Sequence, residues 1–267
     1  MNTRITHTQT LLQALQALLP ECSNNSLRQF IQDGRVIVDG AVAKKLNSTL
    51  IPGQMVSFSE RRVKYELDLK IVYEDRHLVV IDKPSGLLSV KTAYETEQTA
   101  HNILKDRYRT KVFVVHRLDF ETSGLLIFAR TEEAFYPLKE ELFQRHVKRD
   151  YIAVVEGHLE GAGTWECHLY EDKAHNMHVR ADGELAITHY KVLSHTHGFT
   201  RLSCSLETGK KHQIRIHARE AGHPVAGDVR YGATTNPFGR LALHAEKLTF
   251  CHPITKKTLS FTSPAPF

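Results

Sequence analysis

The chain has 267 residues, enough for one large domain or for a catalytic domain with a small appendage. Hydrophobic residues make up 41% and charged residues 24%, a globular balance that excludes disordered and fibrous classes. With 35 Lys and Arg against 30 Asp and Glu, the net charge is +5, which leans towards an anionic partner such as nucleic acid.

Four cysteines, at 22, 167, 204 and 251, are scattered singly. Neither a zinc site nor a disulfide framework is expected from that spacing. The first seven residues lack an apolar signal core, and no stretch approaches the ~18 apolar residues of a membrane span. A soluble, cytoplasmic protein is expected. The pairs His175/His178 and His195/His197 lie in polar sequence without partner Cys or clustered carboxylates and read as surface residues. No metal site is expected, because one needs three or four converging ligands.

In chain order, Thr10 caps a helix whose apolar positions Leu11, Leu12, Leu15, Leu18 and Leu19 share one face and stop at Pro20. A second helix runs from about Ser26 to Gln32 and ends at Gly34. Val36-Ile37-Val38 reads as a strand, Asp39-Gly40 as a hairpin turn, and Pro52-Gly53 as a turn into Met55-Val56-Ser57-Phe58. By this spacing residues 1–58 resemble the S4 RNA-binding domain. Basic residues usual in that family at the start of the second helix are replaced by Asn24 and Ser26. The candidates left for phosphate contact are Arg28, Arg35, Lys44 and Lys45, and fewer contacts imply weaker, less salt-sensitive binding. Each is also an ordinary solvated charge. Residues 59–70 read as a linker.

From Ile71 the pattern turns to strands. Ile71-Val72-Tyr73 and Leu78-Val79-Val80-Ile81 flank a hairpin turn, and Lys83-Pro84-Ser85-Gly86 breaks into a loop. A helix spans Thr99 to Arg107. Val112–Val115 and Leu125–Ala129 read as short buried strands around His116-Arg117-Leu118-Asp119-Phe120-Glu121, with Thr122, Ser123 and Gly124 as turn formers. That loop either presents a reactive carboxylate on a rigid base or holds an Arg117–Asp119 pair that stitches a hairpin. Thr131 to about Arg145 is helical, with Pro137 kinking it or lying in its first turn. Tyr151–Val155, 187–193 and 199–206 are strands, His212 to Ala221 is a helix closed by Gly222, and strands resume from Leu241. An α+β fold with a large, mainly antiparallel sheet follows.

Five stretches occur together in order. They are Lys83-Pro84-Ser85-Gly86-Leu87-Leu88, then His116-Arg117-Leu118-Asp119-x-x-Thr122-Ser123-Gly124, then Arg149-Asp150-Tyr151-Ile152-Ala153. Thr208-Gly209-Lys210-Lys211-His212-Gln213-Ile214-Arg215 with Gly227-Asp228 follows, and Leu243-His244-Ala245 closes the series. From about residue 71 to the end the chain resembles the RluA-type pseudouridine synthases. The resemblance implies isomerisation of uridine in structured RNA without metal or redox cofactor. It also implies Asp119 as the essential carboxylate, Arg215 as its cationic partner, Tyr151 as the ring beside the target base, and Arg117 as the side chain that helps displace the nucleotide. Without it, Tyr151 is a core strand tyrosine and Arg215 a surface helix charge. Lys210 stands where relatives usually carry arginine, keeping charge but losing bidentate geometry. His116 and Gln213 read as scaffold or as hydrogen bonders next to the site.

The expected partner is RNA, ribosomal RNA ahead of transfer RNA, and the expected state is a monomer. Two other readings stay open: a catalytically inactive RNA-binding or ribosome-assembly factor, and a carboxylate-dependent N-glycosidase. Intact Asp119, Tyr151 and Arg215 speak against the first.

Overall fold

The computed structural model describes residues 2–32, 34–58, 69–91, 99–172 and 175–267. They form two compact units, residues 2–58 with Lys91 in one and residues 69–90 with 99–267 in the other.

In the smaller unit β1 (Asn2–Arg4) and β2 (Gln9–Thr10) lead into α1 (Leu11–Leu18) and α2 (Asn24–Gln32). Then come β3 (Val36–Val38), β4 (Ala41–Val42), β5 (Thr49–Leu50) and β6 (Met55–Phe58). Thr10 caps α1 in a capping box: its hydroxyl accepts the Gln13 N–H at 3.3 Å, and the Gln13 side chain accepts the Thr10 N–H at 2.8 Å. Leu11 and Leu15 of α1 and Leu27 and Ile31 of α2 bury against Val36, Val56 and Phe58. Asp39 and Gly40 both have positive φ, 49° and 83°, as a tight turn between β3 and β4 requires. Arg28, Lys44 and Lys45 are exposed. Arg35 is not a free surface charge, since its guanidinium lies 4.3 Å and 4.5 Å from the ring centres of Phe30 and Phe58.

Of the expected linker, 59–68 lies outside the described residues, and its last two residues belong to the larger unit. Leu69 is buried in that unit's core and Lys70 opens β7 (Lys70–Glu74). β8 (Leu78–Lys83), α3 (Ala100–Tyr108), β9 (Phe113–Val114), β10 (Ser123–Ala129) and α4 (Glu132–Phe143) follow. The chain continues through β11 (Lys148–Glu156), β12 (Ala162–Glu171), β13 (Met177–Val179), β14 (Glu184–Thr196) and β15 (Phe199–Leu206). It closes with α5 (Gln213–Glu220), β16 (Leu243–Cys251) and β17 (Thr258–Thr262). Pro137 sits inside α4 beyond its first turn. β12 and β13 are strands that the sequence reading does not contain. The side chains of β12 alternate between half-buried and exposed over most of its length, and β13 is three residues with only Met177 buried, so no apolar run marks them.

Eleven strands form one sheet in the order β13-β12-β14-β15-β11-β16-β10-β8-β7, with β17 on β16 and β9 on β10. The α+β expectation holds, but the sheet is mixed. β10 and β16 run parallel, pairing Gly124 with Ala245, while the other ladders described are antiparallel. Ala245 also pairs with Tyr151 on its other side, so the sheet's hydrogen bonding places the start of β10 two strands from Tyr151, about 10 Å. Ser123 and Gly124, expected as turn residues, are therefore the first residues of a central strand. Gly124 is glycine because φ is 113° and a Cβ would stand 2.3 Å from the Ala245 carbonyl oxygen.

Gly124→Ala should consequently force β10 and β16 apart. Thermal unfolding is expected to show a loss of about 2 kcal/mol or more; a melting temperature equal to that of the native chain would refute the strand contact.

Candidate active site

Asp119 lies on the loop between β9 and β10, and the loop around residues 83–89 fixes it from behind. Ser89 Oγ donates to the Leu118 carbonyl at 2.7 Å and accepts the Leu118 N–H at 3.0 Å. Gly86 N–H donates to the Phe120 carbonyl at 2.9 Å, and Ser85 Oγ to the Glu121 carbonyl at 2.6 Å. Lys83, wholly buried, donates its Nζ to the carbonyls of Pro84, Leu87 and Phe120 at 2.9, 2.7 and 3.3 Å. Burial pulls its pKa down to about 7, opposed by the charge of Asp119. The backbone on both sides of Asp119 is thus pinned, which is what a side chain that must meet a reacting atom needs.

Opposite stands α5, entered through His212 at a left-handed φ of 56°. Its Arg215 is only 2% exposed, and its guanidinium grips the buried Asp228 carboxylate through Nε and Nη2, both at 2.7 Å. Nη2 also meets Glu121 at 2.9 Å, while Nη1 reaches Asp119 Oδ2 at 4.0 Å. The expected Arg215–Asp119 pair is therefore the longest of three contacts. Asp228 holds the guanidinium, and Asp119 receives its field more than its hydrogen bonds. Glu121, two residues on from Asp119, thus also answers Arg215. Burial opposes the Arg215 charge, but the hydrogen bonds and charge of Asp228 win and hold its pKa above the usual arginine range.

Electrostatics at Asp119 differ from expectation. Arg215, Lys83, Arg117 and Lys211 all favour the carboxylate, yet burial outweighs them and raises its pKa. His212 Nε2 lies 4.0 Å from Asp119 Oδ1. Burial, then the nearby Arg215, pushes His212 down to about 3, so it faces the carboxyl as a neutral ring whose Nδ1 bonds Tyr231 Oη at 2.7 Å. His116, also driven to about 3 by burial, accepts the Ile127 N–H at 3.4 Å and is scaffold. Gln213 is scaffold too: it donates to Ile187 O and Thr188 Oγ1 and accepts from Thr208 Oγ1 and Lys210 N.

Beside these groups lies an open cleft whose walls include Arg117, Asp119, Arg149, Tyr151, Lys210 and Arg215. Tyr151 is 6% exposed, with its ring in the core, and burial raises its phenol pKa, so the hydroxyl stays protonated. Arg117 is exposed on the wall. Lys210 is tied to Glu184 at 3.0 Å. Arg28, Arg35, Lys44 and Lys45 belong to the other unit. Asp228, Glu121, His212 and Arg149 were not singled out as site residues in the sequence. Asp228 did stand in the Gly227-Asp228 pair, but nothing in sequence spacing says which distant cation a carboxylate will meet.

The surface histidines do have acidic partners, contrary to expectation: His175 with Glu171 at 2.9 Å and His178 with Asp172 at 2.8 Å. His158, Glu160 and His195 also converge within 4.8 Å on an exposed face. The two imidazoles there are stacked at 3.9 Å and 25°, an arrangement that does not aim two lone pairs at one ion.

A family model for RNA pseudouridylate synthase matches residues 77–220, a span that holds Asp119, Tyr151 and Arg215. The chain belongs to the RluA-type RNA pseudouridine synthase family. It is an isomerase acting on RNA. It is 34% identical to ribosomal large subunit pseudouridine synthase D of Escherichia coli strain K12, over 97% of this chain and 87% of that one. Its identity to the protein of the same name from Nitrosomonas europaea is 38%, over 95% and 80% of the two chains. Among solved structures, human RNA pseudouridylate synthase domain containing 1 superposes with a TM-score of 0.63 at 28% identity, covering 75% of this chain and 84% of that one.

Two outcomes test the electrostatics. Asp228→Ala strips Arg215 of its main partner and should cost about 3–5 kcal/mol in chemical unfolding; a loss under about 1 kcal/mol would mean that Glu121 suffices. For Asp119, a folded pKa above the unfolded 3.8 makes the ionised form unfavourable, so stability falls as pH rises through the raised value. Asp119→Asn should therefore melt higher than the native chain at neutral pH, with the gain vanishing in acid below about pH 3.8. A lower melting temperature at neutral pH would reverse that sign.

Proposed function

We propose that the chain converts specific uridines of ribosomal RNA to pseudouridine, with Asp119 as the essential carboxylate. The observation that carries the reading is a carboxyl presented at the floor of a cationic cleft by a loop whose backbone is held on both sides. Breaking the C1′–N1 bond, turning the uracil and rejoining it through C5 needs a carboxylate beside the ribose, as nucleophile or as base. Asp119 fills that role once ionised, and the fixed field of Arg215 lowers the cost of its charge where burial raises it. Tyr151 offers a ring on which the uracil can rest and a protonated hydroxyl near it. Arg117, exposed on the cleft wall, takes the space that the extruded nucleotide leaves in the stack, a step that costs a few kcal/mol.

Ribosomal RNA is the proposed substrate because the similar bacterial proteins carry that RNA class in their names; transfer RNA is the second reading. Residues 1–58 are proposed as an S4-like docking unit, with Arg28, Lys44 and Lys45 at phosphates and Arg35 contributing from its place on Phe30 and Phe58. No redox or metal chemistry enters this scheme.

RNA carrying tritium at uridine C5 decides between the readings. Isomerisation releases tritium to water, an inactive binding factor releases none, and a glycosidase frees labelled uracil. Asp119→Asn should reduce release to background while RNA binding persists; turnover in that variant would sink the assignment. A chain lacking residues 1–58 should show raised KM on ribosomal transcripts, growing less salt-sensitive as contacts are lost; unchanged KM and salt dependence would remove the docking role.

A further inference from the structure

Pairing the charges of the cleft leaves Arg117 and Arg149 without an ion-pair partner among the described residues. Arg215 is held by Asp228 and Glu121, and Lys210 by Glu184. Arg117 is exposed on the wall. Arg149, at the start of β11, also lines the cleft, but its Nε is sealed from solvent and has no hydrogen-bond partner among the described residues. Leaving such a donor unmet costs about 1–3 kcal/mol, more on a charged group.

The chain makes room for this guanidinium. A Cβ on Gly209 would stand 2.7 Å from Arg149 Nη1 and 3.3 Å from Nη2. Gly209 is not among the residues with positive φ, so its backbone conformation does not call for glycine. A Cβ there would meet only the movable tip of the Arg149 side chain and push it aside, so glycine leaves the guanidinium its place. The backbone around Gly209 and the side chain of Arg149 thus form a piece of the cleft wall that holds a cation with no ion-pair partner among the described residues.

We propose that Arg149 binds a phosphodiester of the RNA strand next to the target nucleotide, and that Gly209 is the space that lets it. The inference rests on the reading of the cleft as a uridine site. Uracil and ribose are neutral, so only the backbone phosphate answers a surplus cation there. Guanidinium suits it because the planar fork bonds two phosphate oxygens at once. Arg149 and Tyr151 are two residues apart on β11, about 7 Å along the strand, which puts the phosphate beside the base. The competing role is purely electrostatic. Arg149 also acts to lower the pKa values of Tyr151 and His116, and a residue that worked only in that way would shift the pH profile of kcat rather than affinity.

The test uses the full chain and tritium-labelled transcript, with RNA affinity measured by filter binding and folding by thermal melts. Arg149→Gln should raise Kd and KM about ten- to a hundredfold, as loss of a charged hydrogen bond does. The slope of log Kd against log salt should fall by about 0.7, one phosphate contact on a single strand. Gly209→Ala should reproduce that loss with Arg149 present, and Arg149→Lys should keep the salt slope while losing part of the affinity. Unchanged Kd and slope in Arg149→Gln, or a defect confined to kcat and its pH profile, would overturn the proposal. Should Arg149→Gln melt early, Arg149→Lys decides: native affinity in that variant overturns the bidentate contact, and a raised Kd at native slope supports it. If the native chain binds RNA but releases no tritium, the uridine assignment fails, and the binding slopes still judge Arg149.

Discussion

A guanidinium taken out of water costs several kcal/mol unless its donors are met, and Arg215 meets that cost with a carboxylate that is itself fully buried. Nε and Nη2 are both committed to Asp228, at 2.7 Å. Only one end of the fork faces the cleft. The consequence is a cation whose position does not depend on Asp119, and so does not move when Asp119 changes protonation state or engages a substrate. Preorganised charge of that kind favours a reaction because nothing has to reorient when charge develops.

The same logic of fixing from behind runs through the rest of the site. Asp119 is held by its neighbours' backbone, not by bonds to its own carboxyl, and the holding loop is anchored by a lysine with no exposed surface. The parallel pairing of β10 with β16 brings Gly124 and Tyr151 to opposite sides of Ala245, setting loop and tyrosine on one rigid row. Neutral His212 adds a polar face beside Asp119 without adding charge. Burial then has the last word on Asp119, leaving it less acidic than a free aspartate in spite of four nearby cations.

Much of the fold was legible because local signals were unambiguous. The Thr10 cap, the Asp39-Gly40 turn and the apolar runs at 78–81, 125–129 and 151–155 all appear where spacing puts them. β12 was not legible, since a strand with polar residues on one face and half-buried ones on the other resembles loop sequence, and β13 is too short to carry a pattern. Ser123-Gly124 misled for a physical reason: glycine there serves a close strand contact, not a turn. In the site, the ordered motifs pointed to Asp119, Tyr151 and Arg215, and all three line one cleft. The wiring between them was hidden. Arg215 and Asp228 are close in sequence, but a bidentate buried pair depends on side-chain geometry that spacing does not encode. Arg149 stands out only after Arg215 and Lys210 are followed to their carboxylates and Arg117 to solvent.

Burial raises the pKa of the Asp119 carboxyl above the ordinary aspartate value although Arg215 is clamped beside it by Asp228. Selective ¹³C labelling of aspartate side chains, with Asp119 assigned by the Asp119→Asn spectrum, follows that carboxyl directly through a pH titration. A midpoint above the ordinary aspartate value of 3.8, rising further in Asp228→Asn as the guanidinium loosens, is the expected result. A midpoint at or below the ordinary value, unmoved by Asp228→Asn, would contradict it.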